Sequence, residues 1–129
     1  NLKGLIDLIN KNSEFKIRIV FCKDYAEAMD ALIKGNAKIG WVGANSYREI
    51  SRSKRIEPFA IALPKGKETP NYHSVFIVRN DSFINSLEKI KNSRIAIGNP
   101  HSTSGYCAPK LELAEIGINL DDENEFQNL

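Results

Sequence analysis

The apolar residues of this chain change period repeatedly, and that switching narrows its possible folds more than any other feature. "KIRIVF" (Lys16–Phe21) alternates apolar and charged side chains, the period-two pattern of a strand near a sheet edge or with one wet face. "DYAEAMDALIKG" (Asp24–Gly35) changes to helical spacing. Asp24 is placed to cap that helix, Glu27 to answer it three residues on, and Gly35 suits its C-terminal stop. "KIGWV" (Lys38–Val42) reads as a strand, and the turn "GANS" leads to a short helix from about Ser46 to Ser53. "EPFAIAL" (Glu57–Leu63) and "HSVFIV" (His73–Val78) read as strands on either side of the polar, proline-bounded loop Pro64–Asn71. Ser82 to Lys91 reads as helix, with Ile84, Leu87 and Ile90 on one face. "RIAI" (Arg94–Ile97) has the form of a short strand buried on both sides, and a helix then runs from about Ser104 to Ile116, stopped by Gly117. The opening "NLKGLIDLIN" already lies within a helical pattern.

Strands alternating with helices at this rhythm imply βαβ units and a mainly parallel, helix-covered α/β sheet. In such sheets ligands bind beyond the carboxyl ends of the strands. That rule selects Cys22–Tyr25, Gly43–Ser46 and Gly98–Gly105, each following a strand and opening a helix.

Composition excludes several classes of function. A chain of 129 residues can hold one domain with a sizeable core or two small lobes. A formal net charge of +2 gives no argument for nucleic acid or an acidic membrane surface. "SRSKR" (Ser51–Arg55) reads as a solvated helix end. Cys22 and Cys107 are far apart and without metal-ligand spacing, and buried free thiols are the expectation for both. No run of about twenty apolar residues is present to span a membrane. There is no signal peptide or initiator methionine, and the polar, acidic tail "NLDDENEFQNL" reads as a cut edge, so the expectation is either a fragment of a longer protein or a truncated relative. No nucleophile, base and orienting group stand at recognisable spacing, and no metal cluster or nucleotide loop is visible. The expectation is a protein that is not an enzyme and carries no cofactor or metal.

The stretch with a chemical signature is "GNPHSTSGY" (Gly98–Tyr106). The first turn of a helix offers N–H groups without intrahelical partners, and the macrodipole adds partial positive charge there. Ser102, Thr103 and Ser104 would add hydroxyl donors, and Gly105 removes bulk from the approach. Spacing alone leaves two readings open, an oxyanion cradle or a helix merely capped by Ser102 or Ser104. His101 lies inside the loop and would add positive charge at low pH.

Taken in order, "DYAEAMDALIKGNAKIGWVGANSY" and "NYHSVFIVRNDSFINSLEKIKNSRIAIGNPHSTSGYCAPKLELAEIGI" resemble the phosphate/phosphite/phosphonate-binding proteins of ABC transporters. The resemblance runs from about Asp24 to Gly117, and its most specific element is the Ser-Thr-Ser-Gly loop after an apolar strand. It implies a type 2 periplasmic-binding-protein fold of two α/β lobes, with residues 1–80 forming most of lobe one and 81–129 the start of lobe two. It implies ligand contacts from Ser102, Thr103 and Ser104, and from Tyr25 and Tyr72 in the first lobe, with hinge closure about the crossing near Asn80. Tyr25 and Tyr72 also admit packing roles. His73 falls at a variable position and reads as an exposed strand residue, and Trp41 reads as core. The family's first strand and the rest of its second lobe, which tunes oxyanion choice, are not in this chain. The implied function is solute binding outside the cytoplasm, periplasmic or extracellular, on a protein anchored at the membrane by a segment beyond this chain. Its partners would be a small oxyanion and the membrane subunits of an ABC importer, or a fused signalling module if the domain is a sensor.

Overall fold

The computed structural model describes residues 2–53 and 55–122, with the backbone alone for Leu2. The tail reading therefore falls largely outside the described residues, as does Lys54 of the basic run. In chain order the elements are α1 (Leu2–Asn12), α2 (Tyr25–Ile33), α3 (Ala44–Ile50) with a 3-10 turn at Ser51–Ser53, a second 3-10 turn at Leu87–Ile90, and a π-helical turn (Thr103–Cys107) continuing into α4 (Ala108–Glu115).

Local chemistry explains where the helices begin and end. Asp24 is extended (φ −152°, ψ 178°), and its carboxylate accepts the Glu27 N–H at 2.8 Å. Glu27 reaches back to accept the Lys23 N–H at 2.7 Å, so two donors at the start of α2 are satisfied reciprocally. Gly35, at φ +75°, terminates α2 in the left-handed conformation. At the end of α4 the Gly117 N–H donates to Ala114 O at 3.0 Å and the Ile118 N–H to Leu113 O at 2.9 Å. With Gly117 at φ +76°, this is a Schellman closure, and Leu113 and Ile118 supply its apolar contact within one buried cluster.

That cluster is Ile90, Leu113, Ile118 and Leu120, with Ile84, Leu87, Ile95 and Tyr106 packed on it. The apolar face expected at Ile84, Leu87 and Ile90 thus points inward. Only its last turn is helical, because Ser86 is extended (φ −152°, ψ 163°) and Ser82 Oγ takes the Ile84 N–H at 3.1 Å. Outside this cluster Met29 of α2 and Ile50 of α3 are buried.

The strand expectations are corrected. Among the described residues no strand forms at Lys16–Phe21, Lys38–Val42, Glu57–Leu63, His73–Val78 or Arg94–Ile97. A strand exists through its neighbour's hydrogen bonds, and where partners are found at these segments they are not a neighbouring strand. Ile17 pairs with the Asn10 side chain, donating its N–H to Oδ1 at 2.6 Å and accepting from Nδ2 at 3.2 Å. Gly98 at the end of the Arg94–Ile97 run pairs with Gly105. Apolar side chains of these segments accordingly face solvent, Phe21 and Ile77 among them. Trp41, expected in the core, is 76% exposed for the same reason, since no sheet layer covers it. Arg94–Ile97 is partly covered on one side only: Ile95, half-buried, packs on the cluster and Ile97 is exposed. His73 is exposed, as expected.

A polar staple closes the cluster's rim. Lys110 bonds the Asp121 carboxylate, Tyr106 Oη donates to Asp121 Oδ1 at 2.6 Å, and the Lys110 ammonium sits 5.6 Å from the Tyr106 ring centroid. The Lys110 bond, and after it the Tyr106 bond, hold the Asp121 carboxyl below the ordinary aspartate range; the Asp121 bond raises Lys110 and Tyr106 above theirs.

Two outcomes are expected. Gly117→Ala places a side chain at a positive φ and should destabilise the fold by about 1–2 kcal/mol in urea unfolding. Because the folded-state pKa of Asp121 is depressed, its contribution is present above about pH 4 and is lost as pH falls through the lower folded value. Asp121→Asn should therefore flatten the acid limb of a stability–pH curve below about pH 4, an effect that salt reduces because the group is exposed.

Candidate functional site

The "GNPHSTSGY" loop is built by small residues and local hydrogen bonds. The Gly98 N–H donates to Gly105 O at 2.8 Å, closing the neck of the loop. A Cβ at Gly98 would stand 2.9–3.1 Å from the Gly105 backbone, so the two sides of the neck approach this closely only through glycine. Asn99 organises the next turn: its O accepts the Ser102 N–H at 2.8 Å and its Oδ1 the His101 N–H at 3.0 Å.

The hydroxyls then divide their roles. Ser102 Oγ accepts the Gly105 N–H at 3.0 Å, which makes Ser102 the cap of the π turn. Thr103 Oγ1 accepts the Asn45 N–H from the first turn of α3 at 2.9 Å. A hydroxyl that is already accepting keeps its own hydrogen to donate. The Ser104 hydroxyl has no hydrogen-bond partner among the described residues, and the Ser104 carbonyl is occupied by Ser74 Oγ at 2.6 Å. The N–H groups of Thr103 and Ser104 open the helical run and have no acceptor within it. Ser102 to Ser104 thus present donors, with the carbonyl at Ser104 already satisfied. Capping and cradling, opposed as readings of the sequence, are compatible in the structure: Ser102 caps with its lone pair and retains its proton.

The loop is docked on α3. Asn45 Nδ2 donates to Pro100 O at 3.3 Å, and Ser46 Oγ to His101 O at 3.1 Å. His101 Nδ1 lies 3.0 and 2.9 Å from the two Glu49 carboxylate oxygens. His101 is therefore turned onto α3 by a carboxylate. Asn45 and Ser46, both buried, and Glu49 are the residues that motif reading missed. The turn Gly43–Ser46 is among the loops selected by the strand-end rule, but nothing in its spacing shows that its polar side chains face another loop.

The tyrosines are placed differently. Tyr25 is the first residue of α2 and Tyr72 precedes the His73–Val78 segment; both are exposed, and neither phenol has a hydrogen-bond partner among the described residues. The Ser74–Ser104 bond brings the segment after Tyr72 against the loop. Among the described residues no hydrogen bond or ion pair joins Tyr25 to it. Cys22 and Cys107 are free, half-buried rather than buried, and Cys107 Sγ lies 3.8 Å from Pro100 O. Among the described residues no group of three or more His, Cys, Asp or Glu could hold a metal ion, and no helix is long and apolar enough to cross a membrane.

Comparison with known proteins meets this geometry. A family model for the phosphonate periplasmic substrate-binding protein of ABC transporters matches residues 1–128. The phosphate-import protein PhnD of Mycolicibacterium smegmatis is 27% identical over 116 residues, covering 88% of this chain and 36% of that protein. The phosphonates-binding periplasmic protein of Escherichia coli is 31% identical over 105 residues, covering 78% of this chain and 31% of its own length. A Prochlorococcus marinus protein named "Probable ABC transporter phosphite binding protein PhnD1" is 23% identical over 118 residues, 87% of this chain and 39% of that one. No solved structure gives a significant match. This chain belongs to the phosphonate-binding periplasmic family of ABC transporter proteins. Membership implies the type 2 periplasmic-binding fold and an extracytoplasmic location. The chain spans roughly a third of the length of these relatives.

Gly98→Ala is expected to force the neck of the loop apart, because its added methyl meets backbone atoms of Gly105. Hydrogen exchange at the Gly98 amide checks this: protection should fall in the variant, while the amide of Ile118 in the helix-closing turn keeps its own.

Proposed function

We propose that this chain is part of an extracytoplasmic solute-binding protein that captures a phosphorus oxyanion (phosphonate, phosphite or phosphate) and delivers it to the membrane subunits of an ABC importer. The observation that carries the reading is the polarity of the Ser102–Ser104 loop. Ser102 and Thr103 accept from Gly105 and Asn45 and so offer their own hydrogens outward. A tetrahedral oxyanion is rich in acceptors, and converging hydroxyl and amide donors at the start of a helical run suit it. The chemistry named for the relatives (phosphate import, phosphonate binding and phosphite binding) supports the same class of ligand.

In this reading, residues 1–80 belong to lobe one and 81–129 open lobe two, with a parallel-rich sheet completed in the whole protein. Tyr25 and Tyr72 would donate their phenols from lobe one, and closure about Asn80 would trap the ligand. The crossing is a tight turn: the Ser82 N–H donates to Arg79 O at 3.0 Å, and Arg79 clasps Asp81 through Nε–Oδ1 and Nη2–Oδ2 contacts of 2.8 and 2.7 Å. The protein works by binding and release, and no reaction is assigned to it. In this reading the opposing lobe tunes the choice among the anions.

Calorimetric titration of the full-length protein with phosphate, phosphite and methylphosphonate tests the proposal. Binding of at least one below millimolar concentration is expected, and failure of all three to bind would sink it. Thr103→Val removes a hydroxyl donor and the acceptor of the Asn45 N–H together, and should weaken binding about tenfold or more. Thr103→Ser keeps the hydroxyl and should bind nearly as the unsubstituted protein does.

A further inference from the structure

We infer that Glu49 of α3 is a positioning residue for the oxyanion loop, acting through His101 and Asn45; the inference rests on the reading of Ser102–Ser104 as the ligand site. An ionised carboxylate only accepts hydrogen bonds. Its approach to His101 Nδ1 at 2.9 and 3.0 Å therefore assigns the proton to that nitrogen and fixes the plane of the ring.

Glu49 Oε1 also accepts from Asn45 Nδ2 at 3.1 Å. On its other side the Asn45 amide oxygen accepts from Arg48 Nη2 at 3.0 Å. With acceptors at one end and a guanidinium at the other, only one orientation of that amide satisfies its neighbours. In that orientation the second N–H of Asn45 reaches Pro100 O at 3.3 Å. Ser46, fully buried on the same helix, holds the next carbonyl, that of His101.

The consequence falls on Ser102. Its two predecessors, Pro100 and His101, are held by side chains of α3, and its successor Thr103 is held by the Asn45 N–H. Glu49 orders the polar side of this arrangement by fixing both Asn45 and His101. The Glu49 carboxylate is engaged by His101 Nδ1 and by an amide that is also bonded to Arg48, and among the described residues no hydrogen bond joins it to Ser102, Thr103 or Ser104. Glu49 therefore acts on affinity by preorganising the donors rather than by touching the ligand.

The test titrates phosphate, phosphite and methylphosphonate into the full-length protein and its Glu49→Ala, Glu49→Gln, His101→Ala and Glu49→Ala/His101→Ala variants, with thermal midpoints measured alongside. Glu49→Ala should weaken whichever anion binds by about tenfold with little change in midpoint. Glu49→Gln, which still offers an acceptor to Asn45, should recover most of that loss. The double variant should lose no more than the weaker-binding single one, because the two residues act in series. Unchanged affinity in Glu49→Ala overturns the inference, as do losses that simply add in the double variant. A loss that Glu49→Gln does not recover, tracking a fall in midpoint, overturns it too by making Glu49 a folding residue. If the unsubstituted protein binds none of the anions, the loop reading fails and takes this inference with it. Binding that is equal in the unsubstituted protein and Glu49→Ala removes this inference alone.

Discussion

The hydrogen bond from the Asn45 N–H to Thr103 Oγ1, 58 positions apart in sequence, is the link on which the organisation of the site depends. It satisfies one of the orphan donors at the start of α3, since Gly43 at the N-cap brings no side chain to do so. It also orients the threonine hydroxyl as a donor. Gly43 eases the approach, because a Cβ there would stand 3.3 Å from that oxygen and the threonine would have to give by a few tenths of an ångström. One contact thus joins helix capping, the meeting of distant segments and the polarity of the candidate site.

Polar groups, more than apolar ones, bring the two parts of the chain together. The clustered apolar core lies entirely within residues 84–120. The α3 contacts to the loop are instead carried by Asn45, Ser46 and Glu49, two of them buried. Buried polar contacts of this kind are directional, so they specify one mutual arrangement where an apolar patch would tolerate several. Among the described residues no buried side-chain polar atom lacks a hydrogen-bond partner, which fits a junction made by matching donors to acceptors.

What could be read from the sequence divides along the same line. Helix ends were legible because their causes are local: Asp24 with Glu27, and Gly35 and Gly117 at positive φ, act within a few residues. The loop chemistry was legible in part, since Ser102 to Ser104 and their glycines announce a donor-rich turn. Sheet layers were not, because alternation along "KIRIVF" or "HSVFIV" states a readiness to pair without supplying the neighbour. Trp41 shows the cost of that gap, as its apolar character says nothing about what covers it. The roles of Asn45 and Glu49 were hidden for a related reason: a short polar helix face looks the same whether it meets water or a distant loop.

The pairing of Asn10 with Ile17 carries a consequence of its own. One amide side chain engages both the N–H and the C=O of a single residue, as a neighbouring strand would. It sets the register of the Lys16–Phe21 segment against α1, leaving Ile17 half-buried while Lys16 and Arg18 face water. In an alternating segment a slip of one residue would exchange those faces. Asn10 is thus a phase marker: it decides which half of the alternation lies against α1 and which faces water.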